Sequence, residues 1–268
     1  MTGTGGDRAP ESPGATDLGE LRERVAALCF DVFGTVIDWR TSIIDEGRAL
    51  GRRLGIERDW EALADAWRGL YQPSMERVRS GEIPWKPLDE LHRESLDTLL
   101  DRFAIDLPEA ERVDFNRAWH RLRPWPEVVP ALEDLSGHYT LATLSNANIE
   151  LAENMAANAG LPWHRILGAE VAQAYKPMPE AYLRSAAALG LGPERCMLVA
   201  AHNDDLRAAS ALGFATAFVA RPTEHGPNQT RDLAADGPWD LVVADFTELA
   251  QRLRPGSQVS DHAANSPA

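Results

Sequence analysis

The fold of this chain is decided by the stretch Leu28-Cys29-Phe30-Asp31-Val32-Phe33-Gly34-Thr35-Val36-Ile37-Asp38. Apolar residues run from position 25 to position 30, which is typical of a strand that is buried on both faces of a parallel sheet. Asp31 follows where this strand should end, and Gly34 permits the tight turn that must come next. Because ligands of open α/β sheets bind outside the carboxyl ends of the strands, Asp31 is a candidate nucleophile. The alternative is an aspartate that only caps the turn through its own backbone.

The composition is that of an ordinary globular protein with an acidic balance. The chain has 268 residues, 44% of them hydrophobic and 25% charged, and a formal net charge of -14. This charge argues against binding to nucleic acid or to an anionic membrane surface, but it allows a small anionic substrate if cations line the pocket. No apolar run is long enough to cross a membrane. The two cysteines, Cys29 and Cys196, fall in predicted buried strands, which favours free thiols and a cytoplasmic location.

Outward from the opening stretch, the chain reads as an α/β protein with a helical insertion. Between residues 41 and 123 the apolar side chains recur at helical spacing, and no convincing strand occurs. After residue 124, strands alternate with helices, and we predict strands at residues 139–144, 166–167, 196–200, 215–220 and 241–244. This alternation predicts a doubly wound parallel sheet. The helical block should then form a cap domain over the strand ends.

These patterns also predict the domain boundaries. The first residues are polar, rich in Gly, Pro, Ser and Thr, and lack the apolar core of a signal peptide. We expect a disordered leader over residues 1–22, a core domain of residues 23–40 and 124–254, a helical cap domain of residues 41–123, and a loose tail over residues 255–268.

Polar side chains gather after three of the predicted strands. They are Asp31 and Thr35, then Ser145 and Asn146, and then residues 202–205, with Lys176 in a proline-stiffened loop before the last group. Each has an ordinary explanation: Ser145 and Asn146 can cap a helix, Lys176 can be a surface lysine, and the acidic pair Asp204 and Asp205 can stabilise a helix start. An Asp, a Ser and a Lys in this order at successive strand ends are harder to attribute to chance.

The order Asp31…Ser145…Lys176…Asp205 resembles the four motifs of the haloacid dehalogenase superfamily, and the resemblance covers nearly all of residues 25–253. The helical block matches the cap that this superfamily inserts into its Rossmann-like core. Asp31-Val-Phe-Gly-Thr35, Leu144-Ser-Asn146, Tyr175-Lys-Pro177 with Tyr182, and Trp67-Arg68 resemble the type II (S)-2-haloacid dehalogenases. Leu198-Val-Ala-Ala-His-Asn203 and Arg221-Pro-Thr-Glu-His-Gly-Pro227 resemble a subgroup that includes haloacetate dehalogenases.

The resemblance implies a hydrolase that converts short 2-haloacids or haloacetates to 2-hydroxy acids and halide through an ester on Asp31. It implies no metal, no cofactor and a homodimer. The implied catalytic residues are Asp31, Lys176, Asp205 and Ser145, and the implied substrate- and halide-binding residues are Val32, Phe33, Thr35, Arg68, Asn146 and Tyr182. Arg40, just past the first motif, is a rival to Arg68 as the cation that binds the halide.

Phe33 distinguishes this chain from the phosphatases that dominate the superfamily. Those enzymes typically carry a second Asp two positions after the nucleophile, where this chain has Phe33. A phenyl ring cannot donate a proton to a leaving group, and phosphoryl transfer also needs a metal to neutralise charge. Phe33 therefore favours carbon–halogen chemistry. Alternatives are the same Asp-ester hydrolysis on a non-halogenated 2-substituted carboxylate and a Mg²⁺-dependent small-molecule phosphatase. The intact motif set argues against a non-catalytic binding module.

The fourth motif departs from the type II pattern. Typical members carry Ser-Ser-Asn where this chain has Ala200-Ala201-His202, and Asp205 keeps the Asp position. An imidazole therefore replaces an amide. We hypothesise that His202 positions or deprotonates the water that cleaves the ester, alone or with Asp205. The alternative is a loop histidine that only packs on the sheet.

Overall fold

The computed structural model describes residues 17–256. Most of the predicted leader and tail therefore lies outside the described residues. Where the leader overlaps them, the prediction of disorder is wrong, because helix α1 covers Leu18–Arg24. Asp17 caps this helix by accepting a hydrogen bond from the Gly19 N–H at 2.7 Å, and Leu21 is fully buried. A single apolar anchor in a polar sequence is too weak a periodic signal to indicate a helix.

Strands and helices alternate along the rest of the described chain. The strands are β1 (Ala27–Phe30), β2 (Ile37–Asp38), β3 (Arg123–Pro124), β4 (Thr140–Thr143), β5 (Cys196–Ala200), β6 (Ala215–Val219) and β7 (Leu241–Val243). After α1, the α-helices are α2 (Trp39–Leu54), α3 (Trp60–Arg79), α4 (Leu88–Arg102), α5 (Glu109–Asn116), α6 (Val128–Ser136), α7 (Ile149–Ala159), α8 (Ala169–Ala172), α9 (Pro179–Ala188), α10 (Asn203–Ser210) and α11 (Phe246–Leu253). Short 3₁₀ helices lie at Arg117–Arg121 and Pro193–Arg195.

Five strands form a parallel sheet in the order β4-β1-β5-β6-β7. This confirms the predicted α/β fold with a doubly wound sheet. The strand predicted at residues 166–167 is wrong: this segment makes only isolated bridges, at Arg165 and Gly168. The hydroxyl of Thr143 bonds both the N–H and the carbonyl of Leu167, and so takes the place of a backbone ladder.

The chain between β2 and β3 is helical and forms the predicted cap. The two short strands pair antiparallel, so the block leaves and re-enters the core at one ribbon. Its aromatic side chains pack onto the turn after β1: the ring of Phe33 meets those of Tyr71 and Trp119 edge to face at 6.0 and 5.9 Å. Buried aromatic contacts of this kind fix the cap above the end of β1.

The strand order decides which polar residues meet. Strands β4, β1 and β5 are neighbours, and their carboxyl ends lie at one edge of the sheet. Residues that follow these three strands therefore converge beneath the cap, as expected for an open α/β sheet. No helix within residues 17–256 is long and apolar enough to cross a membrane.

Candidate active site

Asp31 lies at the end of β1 with only 7% of its surface exposed. Its Oδ1 accepts a hydrogen bond from Lys176 Nζ at 2.9 Å, and its Oδ2 accepts bonds from Thr35 Oγ1 at 2.7 Å and His202 Nδ1 at 3.1 Å. Burial alone would raise the pKa of Asp31, but the charges of Lys176 and His202 outweigh it and hold that pKa well below its usual range. The result is a buried carboxylate that stays ionised.

The turn after Asp31 leaves backbone donors free. Gly34 has a φ of +90°, and its N–H bonds the carbonyl of Ile37, which closes the turn. The N–H groups of Val32 and Phe33 donate no hydrogen bond to any group in the described part of the chain. Two unpaired N–H donors beside a carboxylate are suited to bind an anionic substrate group.

Lys176 links the carboxylates of two motifs. Its ammonium group donates to Asp31 and to Asp205, and Tyr182 donates its hydroxyl to the other oxygen of Asp205. Burial disfavours the charged lysine, but the carboxylates of Asp205 and Asp31 outweigh this effect and raise its pKa. Both oxygens of Asp205 thus already accept hydrogen bonds, so Asp205 holds Lys176 in place and is poorly available to activate water.

Ser145 and Asn146 follow β4 and are almost completely buried. They do not cap the next helix, because α7 begins at Ile149 with Asn148 at its N-cap position. The Oδ1 of Asn146 accepts the backbone N–H of Lys176 at 2.8 Å, and Ser145 Oγ accepts the N–H of Ala147 at 3.1 Å. The amide of Asn146 is thereby oriented with its NH₂ group as the remaining donor.

His202 lies between two carboxylates, and the second one was not predicted. Its Nε2 lies 2.8 Å from Glu224 Oε2, while Nδ1 contacts Asp31. Glu224 is 1% exposed and also accepts a hydrogen bond from Trp39 Nε1 at 3.0 Å. Burial would lower the pKa of His202, but Glu224 and Asp31 raise it well above its ordinary value. Glu224 lies within the Arg221–Pro227 motif, but the motif alone does not indicate a role for this glutamate.

Glu224 belongs to the irregular segment between β6 and β7, residues 220–240. The side chain of Asn203, which is buried, anchors this segment. Its NH₂ group donates to Asp232 Oδ1 and to the carbonyl of Ala234, both at 3.0 Å. Its Oδ1 accepts the N–H of Asp236 and the indole N–H of Trp239. Asn203, which directly follows His202, therefore positions the segment that carries Glu224, the second partner of His202.

Arg68, and not its rival Arg40, lies in the pocket. The guanidinium of Arg68 stacks 4.2 Å from the centre of the Tyr71 ring, and one of its amino nitrogens is buried without a partner among the described residues. Arg40 instead forms a two-point pair with Asp65 at 2.7 and 2.9 Å. An aromatic-stacked guanidinium with an unused donor is suited to bind an anion.

These groups surround one cavity of about 760 Å³. Its wall includes eight residues that the sequence predicted: Asp31, Phe33, Arg68, Asn146, Lys176, Tyr182, His202 and Asp205. The predicted residues Val32, Thr35 and Ser145 are buried behind this wall and contact it through hydrogen bonds or the backbone. Within residues 17–256, no three His, Cys, Asp or Glu side chains are grouped so that they could hold a metal ion.

The chain is similar to known dehalogenases in sequence and in structure. A solved defluorinating L-2-haloacid dehalogenase is 49% identical, with a TM-score of 0.84 over 85% of this chain and 95% of that one. A second L-2-haloacid dehalogenase structure is 47% identical, with a TM-score of 0.82 over 86% of this chain and 100% of that one. Haloacetate dehalogenase H-2 of Moraxella sp. (strain B) is 27% identical over 206 residues, 74% of this chain and 87% of that protein.

A family model described as haloacid dehalogenase-like hydrolase matches residues 25–213, which carry all the site residues except Glu224 and the rest of its segment. The chain therefore belongs to the haloacid dehalogenase-like hydrolase family.

Proposed function

We propose that this enzyme is a hydrolytic dehalogenase that converts short 2-haloacids or haloacetates to 2-hydroxy acids and halide through an ester on Asp31. The observation that carries the proposal is the buried, ionised Asp31 carboxylate at the base of a pocket where Phe33 replaces a general acid. The dehalogenase relatives support the same chemistry, and those that act on L-2-haloacids support a preference for the L enantiomer.

In the first step, an oxygen of Asp31 attacks C2 of the haloacid and the carbon–halogen bond breaks. The carboxylate is already partly stripped of water, which favours attack on carbon. The free N–H groups of Val32 and Phe33 bind the substrate carboxylate and place C2 in line with Asp31. Ser145, buried behind the wall, holds the neighbouring loop by accepting the N–H of Ala147. Thr35 and Lys176 hold the nucleophile in one orientation.

The departing halide needs a positive charge and hydrogen-bond donors. Arg68 supplies a guanidinium with an unused N–H donor, and Asn146 supplies its NH₂ group. The rings around Arg68 exclude water, so its charge acts on the halide with little screening. Stabilising the charge that develops on the halide accelerates the displacement.

In the second step, water attacks the carbonyl carbon of the ester. His202 is placed to take the proton from this water, because its Nδ1 contacts the Asp31 carboxyl group. Glu224 then stabilises the imidazolium at Nε2. The tetrahedral intermediate releases the 2-hydroxy acid, which takes its hydroxyl proton from the Asp31 carboxyl, and Asp31 returns as a carboxylate.

The test is halide release from chloroacetate, fluoroacetate and both enantiomers of 2-chloropropionate, with EDTA present. Release that persists in EDTA and vanishes in Asp31→Asn supports the proposal. The Asn side chain keeps the size of the carboxylate but is a poor nucleophile, so the loss should exceed about 10³-fold. Activity that appears only with Mg²⁺ and a phosphate ester contradicts the proposal.

The domain division also stands as a proposal: a cap of residues 41–123 over a core of residues 23–40 and 124–254. It is supported by the β2–β3 ribbon, at which the helical block leaves and re-enters the core. Polar links hold the two together, such as Arg79 to the carbonyl of Lys176 at 2.8 Å and Asn148 to Asp89 at 2.8 Å. Limited proteolysis should cut first near the β2–β3 ribbon and release a protected cap fragment. Early cuts inside α3 or α4 would contradict the division.

We further propose a cytoplasmic homodimer. The buried free thiols of Cys29 and Cys196 support a reducing compartment, and the resemblance to type II dehalogenases supports a dimer. Light scattering on the purified full chain gives the mass directly, and a monomer mass at micromolar concentration overturns the dimer. Fractionation of the host cells tests the location.

A further inference from the structure

We propose that the hydroxyl of Tyr71 is a third hydrogen-bond donor to the leaving halide, beside Arg68 and Asn146, and that its contribution is largest for fluoride. This inference rests on the proposed function, because a halide leaves only if the reaction is a dehalogenation. It adds to the site a residue that lies outside the sequence motifs.

Tyr71 lies on α3, three positions after Arg68. Residues at this spacing are neighbours on one face of a helix, and here the guanidinium of Arg68 lies 4.2 Å from the centre of the Tyr71 ring. Both side chains line the same cavity as Asn146 and Asp31. Tyr71 is 7% exposed, and its ring packs edge to face against Phe33. These contacts fix the ring beside the two groups that receive the halide.

The hydroxyl of Tyr71 has a hydrogen to donate. Burial raises the pKa of this hydroxyl, so it stays protonated although the charge of Arg68 acts in the opposite direction. The amide of Asn146 acts on the hydroxyl as a donor, and so it faces the oxygen and not the hydrogen. The hydrogen itself has no acceptor within residues 17–256. The NH₂ group of Asn146 has a second hydrogen, which remains for the halide.

The other anionic groups of the reaction do not need this hydroxyl. Both oxygens of Asp31 already accept hydrogen bonds from other side chains. The substrate carboxylate has the free N–H groups of the turn after Asp31. The halogen on C2 is the remaining acceptor of a bound haloacid, and Tyr71 lies with Arg68 and Asn146 in the wall that receives it.

The hydroxyl acts while the carbon–halogen bond breaks. An oxygen of Asp31 forms the new bond to C2, the halogen leaves with the bonding electrons, and Tyr71 keeps its proton. Negative charge grows on the halogen during this step. A donor that is fixed beside the halogen therefore stabilises the transition state more than the bound substrate.

The contribution of the hydroxyl should depend on the halogen. Fluoride is the smallest of the halides, so a donor approaches its charge most closely and interacts with it most strongly. The carbon–fluorine bond is also the strongest, so its cleavage needs the most assistance. A role in packing or in binding the carboxylate would instead affect all haloacetates alike, because these substrates differ only in the halogen.

The experiment compares the wild type, Tyr71→Phe and Tyr175→Phe on saturating fluoroacetate, chloroacetate and bromoacetate. Rapid quenching gives the rate of halide release in the first turnover, which reports on alkylation of Asp31. Phenylalanine keeps the ring against Arg68 and removes only the hydroxyl. Tyr175 is the matched control, because it is buried, its hydroxyl donates to the carbonyl of Lys86 at 2.7 Å, and it does not line the cavity.

In Tyr71→Phe, fluoride release should fall by about 10²–10³-fold, chloride release by about tenfold and bromide release by about threefold or less. The Asp31 ester formed from bromoacetate should decay at the wild-type rate in mass spectra, because the halide has already left. Tyr175→Phe should change the three rates by one common factor. A partly unfolded variant does not obscure the result, since the folded fraction scales all three rates equally.

The two proposals fail in different ways. Equal losses for the three halides in Tyr71→Phe overturn this inference alone, and so does the same halogen dependence in Tyr175→Phe. If the wild type releases no fluoride, chloroacetate and bromoacetate decide by the same criterion. A wild type that releases no halide from any of the three and forms no ester on Asp31 overturns the proposed function and, with it, this inference.

Discussion

His202 is the residue on which the proposed hydrolysis depends, because the oxygens of Asp205 are occupied by Lys176 and Tyr182. The sequence alone did not decide which of Asp205 and His202 activates the water. The contacts assign these two residues different roles. Asp205 fixes the lysine that orients the nucleophile, and His202 faces the carbon that water must attack. Two variants at this position and a pH series test the assignment.

His202→Ala should stop the reaction at the ester. Alkylation needs only Asp31 and its donors, so the variant should release about one halide per site in a burst, and steady-state turnover should fall by about 10²–10⁴-fold. Rapid-quench measurement of halide and mass spectrometry of the Asp31 peptide check both parts. Asp31→Asn is the control and should show no burst. Ester hydrolysis at the wild-type rate in His202→Ala would rule out His202 as the base.

Glu224 should make the folded state sensitive to acid. Folding lowers its pKa from its ordinary value near 4.5 to about 2. Its contribution is therefore fully present above pH 4.5 and is lost as the pH falls towards 2. The shift corresponds to about 3 kcal/mol. Urea unfolding at pH 6 and pH 3 should show a smaller loss of stability in Glu224→Gln than in the wild type, and equal losses would contradict the assigned shift.

His202 should have the opposite dependence. Its pKa is raised in the folded state, so its contribution is fully present below its ordinary pKa and is lost as the pH rises through the raised value. Urea unfolding between neutral and alkaline pH should show a loss in the wild type that His202→Asn lacks. An equal loss in both proteins would contradict the double contact of the imidazole.

At the scale of the elements, the turn after β1 and the segment between β6 and β7 fit together through Gly34. A Cβ at this position would overlap the carboxylate of Glu224. The turn therefore needs glycine for two reasons: the positive φ and the space that the glutamate fills. The turn that follows Asp31 thus packs directly against Glu224, the partner of His202.

Gly34→Ala should impair activity and stability together. The left-handed backbone costs about 1–2 kcal/mol for alanine, and displacement of Glu224 adds to this cost and misplaces His202. Gly55→Ala is the matched control, because Gly55 also has a positive φ but a Cβ there meets nothing within 4 Å. Thermal unfolding and halide release should both fall further in Gly34→Ala. Equal effects in the two variants would mean that only backbone strain matters.

Most of the fold and most of the pocket follow from local patterns. Asp31, Ser145 and His202 come directly after apolar strands, and parallel strands bring their carboxyl ends together. The position of Glu224 cannot be read from a local pattern, because this residue lies in an irregular segment. Its carboxylate fills the space that a side chain at position 34 would occupy, and Asn203 anchors its segment. Helix α1 lacks a local signal for a related reason: its one buried residue, Leu21, packs onto a core that the local sequence does not reveal.

At the scale of the whole molecule, the net charge of -14 opposes the approach of an anionic substrate. Arg231 lines the pocket mouth and forms no ion pair within residues 17–256, so it offsets this repulsion locally. Inside the cavity, Lys176, His202 and Arg68 lie against the carboxylates of Asp31, Asp205 and Glu224. Recognition of the substrate is therefore local, whereas the long-range field is unfavourable.

Salt should consequently raise kcat/KM. Screening shortens the range of the repulsion from about 30 Å at 0.01 M ionic strength to about 8 Å at 0.15 M, so we expect an increase of up to about tenfold. A sulfate salt avoids competition by added halide for Arg68. Arg231→Ala should show a steeper increase, because its local attraction is gone. A fall in kcat/KM with salt would show that attraction at the mouth dominates.

The anchoring of residues 220–240 by Asn203 has a consequence for protein engineering. His202, Asn203 and the segment that carries Glu224 form one transplantable unit, because the residue beside the imidazole also fixes the loop that delivers the carboxylate. Copying the histidine alone into a homologous scaffold would leave its Nε2 without the carboxylate that stabilises the imidazolium. A designer who wants this hydrolytic machinery must move the pair, its asparagine anchor and the whole loop, and must leave glycine in the turn that receives it.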